Sequence, residues 1–203
     1  AYLLAHLRAG MDLLDVGCGP ASITADLAER VAPGRVVALD AASGALEAAR
    51  ATLRERGLSE QVELTCGDIM ALPFEDASFD VVTISYGLRN VQDTARALSE
   101  MRRVTVPGGR IVIVEFSTPV WPAFRHLYRF YLGSALPAAA RLVSSNTEAY
   151  DYLGESILAW PDQRELAGLM QQAGWRGVGY KNLSGGIVAV HRATRPVPAR
   201  GEQ

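Results

Sequence analysis

The stretch that decides the fold is Leu13-Leu-Asp-Val-Gly-Cys-Gly-Pro-Ala-Ser22. Its first four residues, Leu13–Val16, predict a short buried strand, and the residues after the stretch have helical spacing. Gly17 and Gly19 let the backbone between them approach a ligand closely. Pro20 suits the first turn of a helix, where free N–H groups attract carboxylates and phosphates. The stretch therefore predicts a strand, a ligand-binding turn and a helix.

Outward from this stretch, strands and helices alternate. The predicted strands are 13–16, 35–40, 62–66, 79–85, 110–115, 178–183 and 187–191. The predicted helices are 22–31, 44–56 with Ser43 as a cap, 93–103 with Asp93 as a cap, and 162–173. The last two strands are joined by Ser184-Gly-Gly186, which is typical of a hairpin. This order predicts an α/β fold with a mostly parallel seven-stranded sheet, helices on both faces and an antiparallel C-terminal hairpin strand.

Length and composition set the wider limits. The 203 residues suit one domain, which we place at 1–195. Prolines and aromatics interrupt the alternation at 117–160, which predicts a lid or substrate insertion, and 196–203 is predicted to be a disordered tail. A net charge of −2 gives no broad attraction to nucleic acid. We find no signal peptide.

The two cysteines, Cys18 and Cys66, are not spaced as metal ligands or as a redox pair, so no metal site is predicted. They fit a reducing cytoplasm, which is the predicted location.

Acidic residues follow several of the predicted strands. Ligands of such sheets bind at the carboxyl ends of the strands, where the strand order reverses. Asp40 ends the second strand, where an acid can hold a ribose diol, and Asp68 follows Gly67 after the third. A pyrophosphate disfavours nearby acids, whereas a sulfonium cofactor with an amino-acid head accepts them. Asp15, Asp40 and Asp68 therefore favour S-adenosylmethionine over a nicotinamide cofactor; the alternative is that Asp15 and Asp68 only cap turns.

This half of the chain resembles the Rossmann-like class I methyltransferases. Their pattern is acid-x-Gly-x-Gly, an acid at the end of the second strand, and Gly-Asp after the third. The resemblance implies that the first loop surrounds the methionine moiety, that Asp40 binds the ribose, and that Asp68 with Ile69 contacts the adenine. The cofactor-binding residues that it implies are Asp15, Gly17, Cys18, Gly19, Asp40, Ala41, Asp68, Ile69 and Ser85.

The second half is similar to the ubiquinone/menaquinone C-methyltransferases, and within them to the demethylmenaquinone methyltransferases. The motifs that carry this resemblance are 83–91, 115–117, 144–146, 150–157, 159–163 and 182–191. The implied reaction is methylation of a ring carbon, converting demethylmenaquinol to menaquinol. The chain departs from the family at Pro20, where the family usually has threonine. It also lacks the N-terminal segment that helps to cover the family's active site.

The motif at 85–90 suggests how a quinol is activated. A ring carbon is a weak nucleophile until a ring hydroxyl ionises, so we predict that the Arg89 guanidinium stabilises the oxyanion. Asn90 is predicted to hold a water or a quinol oxygen. Tyr152 is predicted to bind a quinol hydroxyl or relay a proton. In a strand or an extended loop, Tyr150 and Tyr152 would face the same way.

Each of these interpretations has a structural alternative. In the alternative for Arg89, its guanidinium pairs with Asp93 or Glu115 and only fixes the loop in place. The two tyrosines would pack in the core. The chain as a whole would methylate another small aromatic molecule, or be a non-catalytic cofactor-binding remnant without its N-terminal lid.

An aromatic stripe lies within 117–142. It comprises Phe124, Leu127, Tyr128, Tyr131 and Ala135, and it is flanked by Arg125, Arg129 and Arg141. Such a helix either lies in a membrane interface and admits a prenylated quinol, or packs as a lid on its own core. The predicted partners are therefore a quinol-type small molecule, a membrane surface contacted peripherally, and a second copy of the chain in a homodimer. No nucleic-acid partner is predicted.

Overall fold

The computed structural model describes residues 7–136 and 147–198. The strands are β1 (Leu13–Val16), β2 (Val36–Asp40), β3 (Val62–Cys66), β4 (Phe79–Ser85), β5 (Thr105–Phe116), β6 (Arg176–Leu183) and β7 (Val188–Thr194). The α-helices are α1 (Ser22–Val31), α2 (Ser43–Glu55), α3 (Thr94–Val104), α4 (Pro122–Phe130), α5 (Thr147–Ala159) and α6 (Gln163–Gln172). A 3₁₀ turn at Leu88–Asn90 and a π-helix at Tyr131–Ala135 interrupt the regular pattern.

The seven strands form one sheet in the order β3-β2-β1-β4-β5-β7-β6. β1 to β5 run parallel to one another, whereas β7 runs antiparallel between β5 and β6. The predicted fold class and the closing hairpin are therefore confirmed. The order reverses at β1, which lies between β2 and β4. Ligands of parallel α/β sheets bind at the carboxyl ends of such strands.

Side chains alternate between the two faces of the sheet and build a core on each. Leu14 of β1 belongs to the cluster covered by α3 and α6, where Met101 and Trp175 are fully buried. Leu13 belongs to the opposite cluster, which α1 and α2 cover with Leu27 and Leu53. A central strand that is apolar on both faces is typical of a sheet with helices on both sides. The sheet is thus a rigid platform for the loops that follow its strands.

Several predicted boundaries are corrected. Ser43 is the first residue of α2, and the cap position belongs to Ala42, which makes no side-chain capping bond. Pro20 lies before α1 rather than in its first turn, because Ala21 enters the helix through a left-handed conformation with φ of 60°. Asp93 caps α3 as predicted, since its carboxylate accepts from the Arg96 N–H. Asp162 precedes α6 as the cap of a capping box rather than as its first helical residue.

The segment 117–160 contains α4, the π-helix and α5. Tyr128 and Leu132 pack with Ile157 of α5 in a small separate cluster, against which Phe116 is packed. The role of this segment as a lid stays a prediction. Arg141 and the motif at 144–146 lie outside the described residues, as do residues 199–203 of the predicted tail. Within 7–136 and 147–198, every helix is too short or too polar to cross a bilayer.

Candidate active site

A cavity of about 690 Å³ opens at the carboxyl end of the sheet, beside the reversal of strand order. The loops after β1, β2, β3 and β4 all contribute to its wall. The predicted site residues that line it are Gly17, Cys18, Gly19, Asp40, Ala41, Asp68, Ile69, Ser85 and Asn90. Three other predicted residues, Asp15, Arg89 and Tyr152, do not belong to its lining. The structure thus brings the predicted loops together but separates the side chains into two groups.

The glycine loop after β1 is held in a conformation that few other residues adopt. Gly17 and Gly19 have φ values of 64° and 54°, in the left-handed region where glycine carries no steric cost. The N–H groups of Gly17 and Cys18 donate to the Leu39 carbonyl over 2.7 and 3.1 Å. The backbone of the loop is therefore fixed to β2 while its outer side faces the cavity.

Asp40 connects the glycine loop to the end of β2. Its Oδ2 accepts from the Gly19 N–H over 2.9 Å, and its Oδ1 accepts from the Ala42 N–H over 2.9 Å. A carboxylate has about four acceptor positions, so two bonds leave capacity for a ligand. Because Asp40 also lines the cavity, this remaining acceptor capacity is available to a ligand there.

Asp68 stands at the far side of the cavity, after β3. Its Oδ1 accepts from the Met70 N–H over 2.8 Å, which shapes a short turn. A Cβ atom at Gly67 would come within 2.9 Å of the Leu39 side chain, so a larger residue here would force that side chain to shift. Ile69 lines the cavity and packs against the core. The turn therefore pairs a polar acceptor with an apolar wall.

Cys18 contributes a neutral surface to the cavity. Burial, with the nearby charges of Asp15 and Asp40, raises the pKa of its thiol to about 12. Only the thiolate is a strong nucleophile, so the protonated thiol acts as an apolar wall at neutral pH. A cofactor with a reactive methyl group can lie beside it without a competing nucleophile.

Asp15 has a different environment from the other acids. Its carboxylate is buried and accepts hydrogen bonds from the Thr24 hydroxyl, over 2.6 Å, and from the Thr83 hydroxyl, over 2.7 Å. Burial raises its pKa to about 6, although both hydroxyl groups lower it. Asp15 thus joins β1, α1 and β4 beneath the glycine loop. Its predicted contact with a bound methionine moiety stays a prediction.

The two threonines were missed by the sequence reasoning. Thr83 is the register partner of Asp15 on the neighbouring strand β4, so strand pairing supplied a usable signal. Thr24 lies in the first turn of α1, two residues beyond the end of the quoted stretch. Thr83 on β4 and Thr24 on α1 are polar residues at buried positions. That pattern is typical of side chains that bond a buried polar group, here the carboxylate of Asp15.

Arg89 forms a nearly buried ion pair with Glu115 at the end of β5. Its Nη1 lies 2.9 Å from Glu115 Oε1, and the two side chains are 10% and 1% exposed. Nη1 also contacts the Tyr86 carbonyl, and the guanidinium carbon lies 5.0 Å from the centroid of the Phe116 ring. Of the two acids considered as partners, Glu115 is therefore the one observed, whereas Asp93 caps α3.

Glu115 organises the whole turn between β4 and the 3₁₀ helix. Besides the ion pair, its Oε1 accepts from the Phe116 N–H over 2.8 Å and its Oε2 accepts from the Arg89 N–H over 3.3 Å. Burial raises its pKa, while the Arg89 charge and the N–H donors lower it. Tyr86, with φ of 57°, packs on the Phe116 ring and lines the cavity. The position of Tyr86 thus depends on a buried salt bridge behind it.

Asn90 and Tyr152 meet at the mouth of the site. The Tyr152 hydroxyl donates to Asn90 Oδ1 over 3.2 Å, which holds α5 against the 3₁₀ turn. The condition under which the two tyrosines would face the same way is not met, because Tyr150 and Tyr152 both lie on α5. Residues two apart on a helix point in different directions, so the two tyrosines do not share a face.

Comparison with known proteins relates this site to a family. Residues 3–195 match the model of the ubiE/COQ5 methyltransferase family. A demethylmenaquinone methyltransferase of Beutenbergia cavernae is 51% identical over 188 residues, which cover 93% of this chain and 75% of that protein. The enzyme of the same name from Streptomyces griseus is 63% identical over 131 residues, 64% of this chain and 57% of that protein.

Solved structures agree on the architecture. An S-adenosylmethionine-dependent methyltransferase from Aquifex aeolicus superposes with a TM-score of 0.68 at 19% identity, over 93% of this chain and 84% of that one. A methyltransferase structure from Bacillus halodurans reaches 0.71 at 20% identity, over 97% of both chains. At these identities the likeness concerns the fold alone.

The buried acid generates a prediction about stability and pH. The pKa of Asp15 rises from 3.8 in an ordinary environment to about 6 in the folded chain, so the folded state binds the proton more tightly than the unfolded state. The contribution of Asp15 to stability therefore falls as the pH rises from about 4 to about 6. Asp15→Asn removes this titration. The difference in the free energy of unfolding between the variant and the unmodified protein should therefore change by roughly 3 kcal/mol in favour of the variant as the pH rises through that window.

Urea unfolding at several pH values between 4 and 7 measures this difference. Glu47→Gln, which changes an exposed carboxylate on α2, is the matched control and should follow the unmodified protein. Parallel curves for Asp15→Asn and the unmodified protein would show that the acid does not titrate in this range.

Proposed function

The chain belongs to the ubiE/COQ5 methyltransferase family, and from that premise we propose that it methylates a ring carbon of a quinol with S-adenosylmethionine. The proposed substrate is demethylmenaquinol, as in the name of its relatives, and the product is menaquinol. One observation carries the proposal. A single cavity is lined both by Asp40 and Asp68, at the nucleotide end, and by Asn90, from the motif at 85–90. Cofactor and acceptor therefore share one space.

The residues present fit S-adenosylmethionine. A cavity of about 690 Å³ has the size of an ordinary ligand site. Ser85 lines it, and the buried Ser85 hydroxyl has no hydrogen-bond partner among the described residues. Buried hydroxyl groups are nearly always bonded, so this hydroxyl has a hydrogen bond to offer to a ligand or a water that reaches it. Asp40 would hold the ribose, Asp68 and Ile69 the adenine, and the glycine loop the methionine moiety.

When bound, S-adenosylmethionine supplies an electrophilic methyl group. The chain's own residues must then make the ring carbon nucleophilic. With tyrosine as a guide to a phenol, ionising a hydroxyl near pH 7 costs about 4 kcal/mol. A cation about 4 Å away, at an effective dielectric constant near 20, offers about 4 kcal/mol. A positioned arginine therefore has the strength to offset the cost.

The ion pair with Glu115 reduces what Arg89 can offer. Its charge is already balanced, so its action on a quinol oxygen depends on N–H groups that the carboxylate does not use. The Arg89 Nε is buried and has no partner among the described residues. We propose that Arg89 donates from this side of the guanidinium, directly or through water, when an oxyanion develops.

Asn90 and Tyr152 complete the proposed acceptor end. The Asn90 amide nitrogen remains able to donate to a quinol oxygen or to a water, since the bond with Tyr152 uses its carbonyl oxygen. The Tyr152 hydroxyl retains its acceptor capacity and can bind a quinol hydroxyl or pass a proton outward. The proton then goes to solvent or to a carboxylate, either Asp68 or Glu115.

Methyl transfer is the direct test. The full chain with S-adenosylmethionine and a chemically reduced, short-tailed demethylmenaquinone should give a product heavier by one methylene unit. A product methylated at carbon can still be reoxidised to a quinone, whereas a product methylated at oxygen cannot. Tight cofactor binding without methylation of any quinol would favour the non-catalytic alternative. Transfer only to an unrelated phenol would favour another aromatic substrate.

The ribose assignment predicts that Asp40→Asn weakens binding of S-adenosylmethionine. A hydrogen bond to a charged group contributes about 1.5–3 kcal/mol, so the dissociation constant should rise by about ten- to a hundredfold. Isothermal titration calorimetry measures it, with Glu47→Gln on α2 as the control of equal charge change. Unchanged affinity in Asp40→Asn would remove the carboxylate from the cofactor site.

The Arg89 assignment calls for a double variant, because breaking a buried ion pair also unfolds proteins. Arg89→Met leaves Glu115 buried without a partner and should lower the free energy of unfolding by about 3–5 kcal/mol. Arg89→Met combined with Glu115→Gln should recover most of that loss. If Arg89 acts on the quinol, turnover in the double variant stays well below that of Glu115→Gln alone, while cofactor affinity stays near normal.

The same experiment discriminates the structural alternative. If Arg89 only ties the loop, stability returns in the double variant and its turnover equals that of Glu115→Gln alone. Four proteins form the double-mutant cycle: the unmodified protein, Arg89→Met, Glu115→Gln and the double variant. Denaturant unfolding, calorimetry with the cofactor and initial rates are measured on all four.

A further inference from the structure

Among the described residues, Tyr86 is the one aromatic side chain in the wall of the cavity. It is 37% exposed and packs against the Phe116 ring, with the two ring centroids 5.0 Å apart and the ring planes tilted by 53°. The other residues of the wall are glycines, aliphatic side chains and polar groups. A flat ligand that enters the cavity therefore has a single aromatic partner there.

The backbone of Tyr86 is strained. Its φ is 57°, in the left-handed region that bulky residues rarely adopt. The next residue, Gly87, could take that conformation without cost, yet its φ is −109°. Hydrogen bonds on both sides hold the strained residue, since the Tyr86 N–H donates to the Val114 carbonyl over 2.8 Å and its carbonyl accepts from Arg89 Nη1. Strained residues that the surrounding structure holds in this way cluster at ligand-binding sites.

The turn places Tyr86 beside both ends of the site. A Cβ atom built on Gly17 would lie 3.9 Å from the Cα of Gly87, so the residue after Tyr86 packs against the glycine loop. On the other side, the Arg89 guanidinium carbon lies 5.0 Å from the centroid of the same Phe116 ring that Tyr86 contacts. Phe116 thus fixes the tyrosine ring and the cation relative to each other. A ring that lies on Tyr86 is therefore next to the loop proposed for the methionine moiety.

We propose that the ring of Tyr86 is the surface on which the aromatic ring of the methyl acceptor lies, and that Tyr86 thereby selects flat aromatic acceptors. The inference rests on the proposed function, since it takes the acceptor to be a quinol. Aromatic rings attract each other in offset-stacked or edge-to-face arrangements, beyond the effect of the buried area. Burial, together with the nearby Glu115 charge, raises the pKa of the Tyr86 phenol, so the side chain is uncharged at neutral pH. The ring rather than the hydroxyl group carries the effect.

Two substitutions separate the ring from the hydroxyl group and from the bulk of the side chain. Tyr86→Phe keeps the ring, so the KM for a short-tailed demethylmenaquinol should stay within about twofold of normal. Tyr86→Leu keeps an apolar side chain without an aromatic face and should raise that KM about three- to tenfold. The KM for S-adenosylmethionine should not change in either variant.

Tyr180→Leu is the matched control for these variants. Tyr180 is 41% exposed and lies on β6, at the edge of the sheet opposite to β3 and away from the cavity, so this variant should behave as the unmodified protein. A quinol KM that is unchanged in Tyr86→Leu, or raised as much in Tyr86→Phe, would overturn the inference.

Glycine at position 86 distinguishes the ring from the turn. If residue 86 only forms the turn, Tyr86→Gly relieves the strain and should be at least as active as the unmodified protein. If the ring binds the acceptor, Tyr86→Gly should raise the quinol KM at least about tenfold. Tyr86→Ala also lacks the ring but keeps the strain, so it should melt about 2–4 °C below Tyr86→Gly. Equal melting temperatures would overturn the premise that the chain accepts strain in order to place a ring here.

A binding measurement keeps the inference separate from the proposed function. Short-tailed menaquinone is the probe, because its ring carbon already carries the methyl group and cannot accept another. Its dissociation constant, measured by equilibrium dialysis in the presence of S-adenosylhomocysteine, should rise about three- to tenfold in Tyr86→Leu and stay within about twofold in Tyr86→Phe. Probe binding that is absent, or unchanged in Tyr86→Leu, would overturn the inference.

The two measurements together assign a failure to one idea or the other. The expected binding pattern without methyl transfer to any quinol would refute the enzyme activity and leave the role of Tyr86 in binding a flat ring standing. Methyl transfer with the same quinol KM in all the Tyr86 variants would overturn the inference and leave the proposed function intact.

Discussion

The crevice at the carboxyl ends of β1 and β4 exists because the chain leaves these neighbouring strands toward opposite faces of the sheet. α1 follows β1 and packs into one core, whereas α3 follows β4 and packs into the other. The two loops must therefore diverge, and the space between them cannot be filled by either helix. Every residue of the candidate site lies in or beside that space. The sheet order thus fixes where binding occurs before any side chain is considered.

Two kinds of charged group surround the crevice. Asp15 and the Arg89–Glu115 pair are buried behind it and connect the elements that form its walls. Asp40 and Asp68 lie at its surface, where each is aligned by a backbone N–H and keeps acceptor capacity for a ligand. The buried groups make the loops rigid, and the surface acids then present their oxygens in fixed directions. Preorganisation of this kind lowers the entropic cost of binding.

The sequence was a good guide to elements and a poorer guide to side-chain direction. Strand ends follow from short apolar runs, so the loops that meet at the cavity could be predicted. The direction of Asp15 could not, because it depends on the register that places Thr83 beside it. Arg89 had two candidate partners, one nearby in sequence and one on β5, and only the packing of β5 against β4 selects Glu115. No helix was predicted around Tyr150 and Tyr152, because α5 lies in a segment without clear helical signals. On α4, only tertiary packing distinguishes the buried Tyr128 from the exposed Leu127.

The two cysteines of the chain have contrasting surroundings that give the protein a practical property. Cys18 is partly buried and its raised pKa keeps the sulfur protonated, whereas Cys66 is exposed at the end of β3. An alkylating reagent attacks thiolates that it can reach, so it should discriminate between them. A fluorophore attached to Cys66 would lie next to Gly67 and Asp68, at the rim of the cavity, and its emission would report occupancy of the nucleotide end in real time.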